Sequence, residues 1–303
     1  FLLAVGGGSV IDTAKAIAYG LAEPEKDVWE LYEHTRTARK CLPVASILTI
    51  AAAGSETSNS SVITRVDTHQ KRAYNDDISR PKFALMDPEL TKTLPDYQTE
   101  SGCADIMMHT MERFFAYEKD NDVTDNISIG LLRAVKKNAL ILVKDPKNYN
   151  ARAQIMWAGS LSHNSLTGCG IDGHGDWATH QLEHELGGMF DVAHGAGLAA
   201  MWGSWARYVC DALPARFAQF AREVMEVPAT GDDMIDALAG IAAFENLMHE
   251  LHMPTNLPEL GVTATEQQIE TLAYRCTYEH RRKIGYVKVL DESDIANIYR
   301  MAN

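Results

Sequence analysis

Phe1-Leu2-Leu3-Ala4-Val5-Gly6-Gly7-Gly8-Ser9-Val10-Ile11-Asp12 opens the chain. The apolar run Phe1 to Val5 reads as a buried strand, and Gly6 to Ser9 as a turn. The turn feeds a helix in which Ile11, Ala14, Ala18 and Leu21 recur at helical spacing and Gly20 marks the end. Strand, tight turn and helix in this order form the unit of a mostly parallel α/β layer. Val44 to Ile50 reads as a second strand, followed by the small residues Ala51 to Ser55, and Lys82 to Met86 as a third, closed by Asp87-Pro88. Beyond Leu94-Pro95-Asp96 the pattern changes. Ala104 to Tyr117, Ile127 to Val143, Ala151 to Leu166, Met234 to Leu251 and Glu266 to Tyr274 carry apolar residues three and four apart, and β-branched runs almost vanish. The expected architecture is an α/β domain over residues 1–97 followed by an all-helical domain over 98–303. A buried strand at position 1 is an unusual start, so further residues are expected ahead of Phe1.

Composition narrows the partners. Of 303 residues, 46% are hydrophobic and 23% charged, an ordinary globular balance. Lys and Arg number 28 against 41 Asp and Glu, a net charge of −13, which repels nucleic acid and anionic lipid. His280-Arg281-Arg282-Lys283 is the one basic cluster and reads as a solvated helix face. No apolar run reaches the roughly 18 residues of a membrane span. Five separated cysteines without a CxxC pair read as reduced thiols of a cytoplasmic protein.

Four constellations carry chemistry. The glycine turn lets backbone approach a ligand closely, and free N–H groups at a helix start favour a phosphate. The second strand's end, Thr49 through Ser55 and Glu56, repeats that device, and in open α/β sheets ligands bind at the carboxyl ends of strands. Together they make a nucleotide pocket. Asp105 and His109 stand four apart, so a helix puts both on one face within reach of one metal ion. Four of the eleven histidines, His174, His180, His184 and His194, then fall within one short stretch. Clustered imidazoles with a nearby acid suit Fe or Zn better than Ca or Mg. On one continuous helix His180 and His194 would be about 21 Å apart, so a break is needed for them to share a metal, and Gly187-Gly188 offers one. Spacing leaves open whether His180 shares a metal with His184 or with His194. His180-Gln181-Leu182-Glu183-His184 also fits H-x-x-E-H, the inverted metallopeptidase motif with Glu183 as base.

In this order the pieces resemble the iron-containing, or group III, alcohol dehydrogenases, in particular their butanol dehydrogenase and broad-range aldehyde reductase branch. The resemblance is carried by Gly6-Gly7-Gly8-Ser9-Val10-Ile11-Asp12, Gly54-Ser55-Glu56, Asp87-Pro88 and Asp105-x-x-x-His109. It continues through Tyr149-Asn150-Ala151-Arg152-Ala153, Met156-Trp157-Ala158, Asp176-Trp177-Ala178-Thr179-His180, His184-Glu185-Leu186 and Ala193-His194-Gly195.

The resemblance implies a dinucleotide-binding domain ahead of a metal-binding one. It implies metal ligands Asp105, His109, His180 and His194, with His184 facing the nicotinamide and substrate as proton relay. It makes Gly7, Gly8, Ser9 and Asp12 the pyrophosphate turn, and Thr49, Ser55 and Lys71 further contacts of NAD(P)H. The implied reaction is hydride transfer between nicotinamide and a primary alcohol or aldehyde such as butanol or butanal. Fe2+, or else Zn2+, would act as Lewis acid, one Asp and three His leaving the ion a net charge of about +1. Trp157, Trp177 and Phe190 would favour a short aliphatic substrate. A homodimer is the expected assembly. Two departures stand out: Ala53 replaces a Thr usual before Gly-Ser-Glu, and the family carries an N-terminal segment ahead of the glycine turn with the adenosine pocket and the residue that separates NAD from NADP. The competing readings are the metallopeptidase and an inactive truncated chain.

Overall fold

The computed structural model describes residues 1–116, 119–171 and 175–303. His174 and Tyr117, the last residue of one expected helix, lie outside them.

Three strands, β1 (Leu2–Gly6), β2 (Val44–Leu48) and the later Ala84–Met86, form a parallel sheet with β2 in the middle. Leu2 pairs with Val44 and Gly6 with Leu48, so both strands end level at the turn side. The helix after the glycine turn, α1 (Gly8–Ala22), lays Ile11, Ala14 and Ala18 on Ala4, Val44 and Leu48. It runs on through Gly20, where a helix was expected to end. A glycine inside a helix costs about 1 kcal/mol, and packed neighbours offset that. The sheet's other face leaves Leu3, Val5 and Leu85 exposed.

Between these elements lies an antiparallel hairpin the sequence pattern did not announce: β3 (Ser60–Arg65) and β4 (Gln70–Asn75), with Ala84–Met86 becoming β5. Its strands carry Ser, Thr, Gln, Lys, Arg and Asn where alternation should show apolar residues. The hairpin is held by polar partners: Ser61 bonds Tyr32 Oη at 2.7 Å and the Asp12 carbonyl at 2.8 Å, while Lys71 and Arg72 pair with buried acids. Tyr74 joins Tyr19, Trp29 and Tyr32 in an aromatic cluster under the short helix α2 (Trp29–Tyr32).

The second half is helical among the described residues: α3 (Asp96–Phe115), α4 (Asp122–Lys144), α5 (Tyr149–His163), α6 (Ala178–Phe190), α7 (His194–Val209), α8 (Pro214–Glu223), α9 (Asp233–Glu250), α10 (Glu266–Cys276) and α11 (Glu292–Ala302). Every residue of α3 from Thr99 to Phe115 is buried, so it is the axis around which the others pack. No described helix is long and apolar enough to cross a membrane.

Two local expectations are corrected. Helix α6 runs unbroken through Gly187 and Gly188, and the chain turns back afterwards, at Asp191 with φ 54°, before α7. The glycines serve close packing instead: a β-carbon at Gly188 would lie 2.5 Å from the His69 carbonyl oxygen, and one at Gly187 2.7 Å from Glu183 Oε1. The basic cluster is likewise no helix face. His280 to Lys283 lie in the turns between α10 and α11, and the Arg282 guanidinium stacks 3.5 Å from the centre of the Tyr278 ring.

Candidate functional site

A cleft of about 930 Å3 runs from the glycine turn to the histidine cluster. At its α/β end, α1 begins with Gly7 as cap residue, without a side-chain cap and without an acid in the first turn. Its first N–H groups therefore keep their donor capacity for a ligand. The two strand-end turns meet there, since a β-carbon at Gly8 would lie 3.2 Å from Ala53 Cβ and 3.3 Å from Ser55 Oγ. A β-carbon at Gly7 would lie 2.0 Å from Ile50 Cγ2. Gly7, Gly8, Ser9, Asp12, Ser55 and Lys71 all line the cleft; Thr49 does not, and its N–H is spent on the Gly6 carbonyl. Asp12 Oδ2 accepts from the Val62 N–H, tying α1 to the hairpin, while its Oδ1 is buried without a hydrogen-bond partner. Burial raises the Asp12 carboxyl above the usual range, with nearby Lys15 opposing.

Lys15 is a residue the sequence reading passed over. It is fully buried and donates to the carbonyls of Ser55, Ser58 and Ser60 at 2.8, 3.0 and 2.6 Å. It thus fastens the second turn beneath α1. The signal was its place on the buried stripe between Ile11 and Ala18.

At the helical end, α3 contributes Asp105 and His109, α6 His180, and the first residue of α7 His194. Asp105 Oδ1 lies 3.2 Å from His109 Nδ1, 3.8 Å from His180 Nε2 and 3.7 Å from His194 Nε2. Asp105 Oδ1, His109 Nδ1 and His180 Nε2 are buried and have no hydrogen-bond partner. Unpaired buried polar atoms are costly, and a bound ion would relieve that cost. Donors about 2.1 Å from a tetrahedral ion stand about 3.4 Å apart, close to these separations. The residues present therefore fit a divalent metal. Asp105, His180 and His194 form a group whose ligand atoms all lie within 4.8 Å of one another, while His109 stands outside that group and has its short ligand-atom contact with Asp105.

Electrostatics differ sharply among the histidines. Burial opposes charge on His180, but the Asp105 and Glu112 carboxylates on either side of its ring outweigh it and push its pKa up to about 9. Burial, followed by the neighbouring His163 and His180, holds His109 well below its ordinary value. His184 is also held well below, by burial and then by the Lys71 charge, so it is neutral at pH 7. His163 was not foreseen. Its ring is tilted against that of His109 at 4.1 Å between ring centres, and its Nδ1 accepts from Arg113 Nη2 at 3.2 Å.

Glu183 cannot serve as the base of a peptidase. It is wholly buried, bonded to Lys71 at 3.0 Å and to His194 Nδ1. Its carboxyl stays below the usual range because the His194 and Lys71 charges outweigh burial. Among the described residues the close ligand groups are Asp105, His180 and His194, and Glu183, His184 and His194, so His180 and His184 do not meet in one group. Of the aromatic residues expected near substrate, only Trp177 lines the cleft; Trp157 is 57% exposed on α5, and Phe190 packs on the helical core.

Comparison with known proteins bears on the same residues. Residues 1–88 match the family model described as iron-containing alcohol dehydrogenase, and residues 99–303 the model of that family's C-terminal domain. A probable NADH-dependent butanol dehydrogenase of Bacillus subtilis is 35% identical over 302 residues, covering 99% of this chain and 76% of the relative. The NADPH-dependent aldehyde reductase YqhD of Escherichia coli is 36% identical over 265 residues, 86% of this chain and 67% of that protein. The crystal structure of a butanol dehydrogenase from Thermotoga maritima superposes with a TM-score of 0.93 at 32% identity, covering 99% of this chain and 75% of that one.

Proposed function

The chain belongs to the iron-containing alcohol dehydrogenase family, and we propose that it reduces short aliphatic aldehydes such as butanal, and oxidises the matching primary alcohols, with a metal held by Asp105, His109, His180 and His194. NAD(P)-dependent exchange between alcohols and aldehydes is the activity its relatives define. The observation that carries the metal assignment is the meeting of Asp105, His180 and His194, whose ligand atoms all lie within 4.8 Å of one another, with His109 Nδ1 3.2 Å from Asp105 Oδ1. A divalent ion there supplies Lewis acidity to a substrate oxygen. Nitrogen and oxygen donors without thiolate suit Fe(II) first and Zn(II) second.

The remaining roles belong to side chains and backbone of the chain. The open N–H groups of Gly8 and Ser9 hold the cofactor's pyrophosphate, with Gly7 keeping the turn tight and Asp12 and Ser55 flanking it. Neutral His184 takes up or delivers the hydroxyl proton. Lys71 lies where the nucleotide and metal ends of the cleft meet, and the Thr49 contact is the least supported member of the set, since its side chain is not part of the cleft lining. The relatives include both NADH- and NADPH-dependent enzymes, so either nucleotide is tested. We infer a homodimer, which sedimentation checks.

With Fe(II) or Zn(II) and butanal, purified protein is expected to oxidise NADH or NADPH. His194→Ala should lose the bound metal and about a thousandfold in rate, equivalent to about 4 kcal/mol. Unchanged metal content and activity in that variant would overturn the ligand assignment.

A further inference from the structure

Helix α3 carries two residues of the proposed metal site and α6 one, and each carries, one turn further along, a carboxylate that grips a histidine of that site on another helix. On α3, Asp105, His109 and Glu112 stand at i, i+4 and i+7, a single stripe. Glu112 is 3% exposed, and its Oε1 accepts from the backbone N–H of His180 at 3.0 Å and lies 3.0 Å from His180 Nδ1. On α6, Glu183 follows His180 by three residues and is hydrogen-bonded to Nδ1 of His194 at the start of α7. Lys71 reaches that carboxylate from β4.

An ionised carboxylate only accepts hydrogen bonds, so a ring nitrogen bonded to it carries the proton. In His180 and His194 alike the nitrogen so held is Nδ1, and Nε2 is the one that faces Asp105 Oδ1. Resting on the metal reading above, we propose that Glu112 and Glu183 are positioning residues. They lock His180 and His194 in the Nδ1–H tautomer, so that both Nε2 lone pairs converge on one ion. Neither acid reaches the substrate; each acts through the imidazole it orients, as partners of metal-bound histidines commonly do.

Metal-stripped protein titrated with Co2+ tests this, with affinity from chelator competition and geometry from the d–d absorption bands. Wild type is expected to bind Co2+ with a four- or five-coordinate spectrum. If it binds none, the metal reading fails, and the positioning roles fall with it. Given wild-type binding, Glu112→Ala and Glu183→Ala should each bind about 10- to 100-fold more weakly and show altered bands. Glu112→Gln and Glu183→Gln keep an oxygen able to accept from Nδ1–H and should recover most of the affinity and the wild-type bands. Alanine variants that are folded by circular dichroism yet keep wild-type affinity and bands would overturn the proposal. Where an alanine variant does not fold, the glutamine variant decides: near wild-type binding supports the proposal, and a 100-fold loss overturns it.

Discussion

A β-carbon on Gly195 would lie 2.0 Å from the carbonyl oxygen of Ser101, and one on Gly102 2.3 Å from that of Ala51. These two glycines let α3 pass in direct backbone contact between the second strand-end turn and the start of α7. That contact sets Asp105 at once against His194 and against the nucleotide end of the cleft. Gly195→Ala forces the backbones apart right beside a metal ligand. It should cost about 3 kcal/mol of stability, the upper end for overpacking, and weaken metal binding, read by denaturant unfolding and Co2+ titration. Gly130→Ala on α4 is the control: nothing lies within 4 Å of its added β-carbon, and the helix should gain about 0.5–1 kcal/mol. At this scale the sequence was legible where spacing does the chemistry. Asp105 and His109 are four apart because a helix needs them so, and Glu112 could have been read from the same stripe. Gly187 and Gly188 were misread, because a glycine tolerated for close packing and one required by a break look alike in a sequence.

Elements were legible in proportion to how far apolar burial alone holds them. The sheet strands and the helices of the second half bury continuous apolar stripes, and most of their expected bounds fall within a few residues of the observed ones, although α3 begins at Asp96 and not at Ala104. The β3–β4 hairpin is different. Its strands dock through charged pairs whose partners lie more than a hundred residues away, Lys71 with Glu183 and Arg72 with Glu185, and no local pattern encodes such partners. Arg72 is 7% exposed and Glu185 1%, so the pair is a buried one. Burial raises the Glu185 carboxyl while the Arg72 charge opposes the rise. Arg72→Met should therefore destabilise the protein by about 3 kcal/mol, by leaving a buried acid unpaired. Adding Glu185→Leu should return much of that loss, since apolar replacements of both partners avoid the desolvation cost. A double-mutant cycle in urea checks both steps; equal losses in the single and double variants would show that the hairpin is not held by this pair.

At the scale of the whole molecule, the proposed metal site joins what the chain keeps far apart. Its proposed donors lie on α3, α6 and α7, and Lys71 of β4 touches the Glu183 that holds His194, so such a site is built only in the folded state. Spacing alone left open which histidines meet, since the turn at Asp191 that folds α7 back onto α6 carries no glycine signal, and only the family resemblance pointed to a set. A ligand that binds only the folded chain stabilises it by mass action, about 2.7 kcal/mol at a free concentration a hundred times Kd. For a protein of this size that is a rise of about 5 °C in melting temperature. Stripping the metal with a chelator should lower the melting temperature by that amount, and restoring Zn2+ or Fe2+ should bring it back. The His194→Ala protein should not respond to either step, because removing one donor leaves the remaining three unable to hold the ion as tightly. NADH alone should still raise the melting temperature of that variant, since the proposed pyrophosphate site is at α1 and not at the metal. A variant that loses both responses would point to a collapsed cleft, and one that keeps the metal response would place the ion elsewhere.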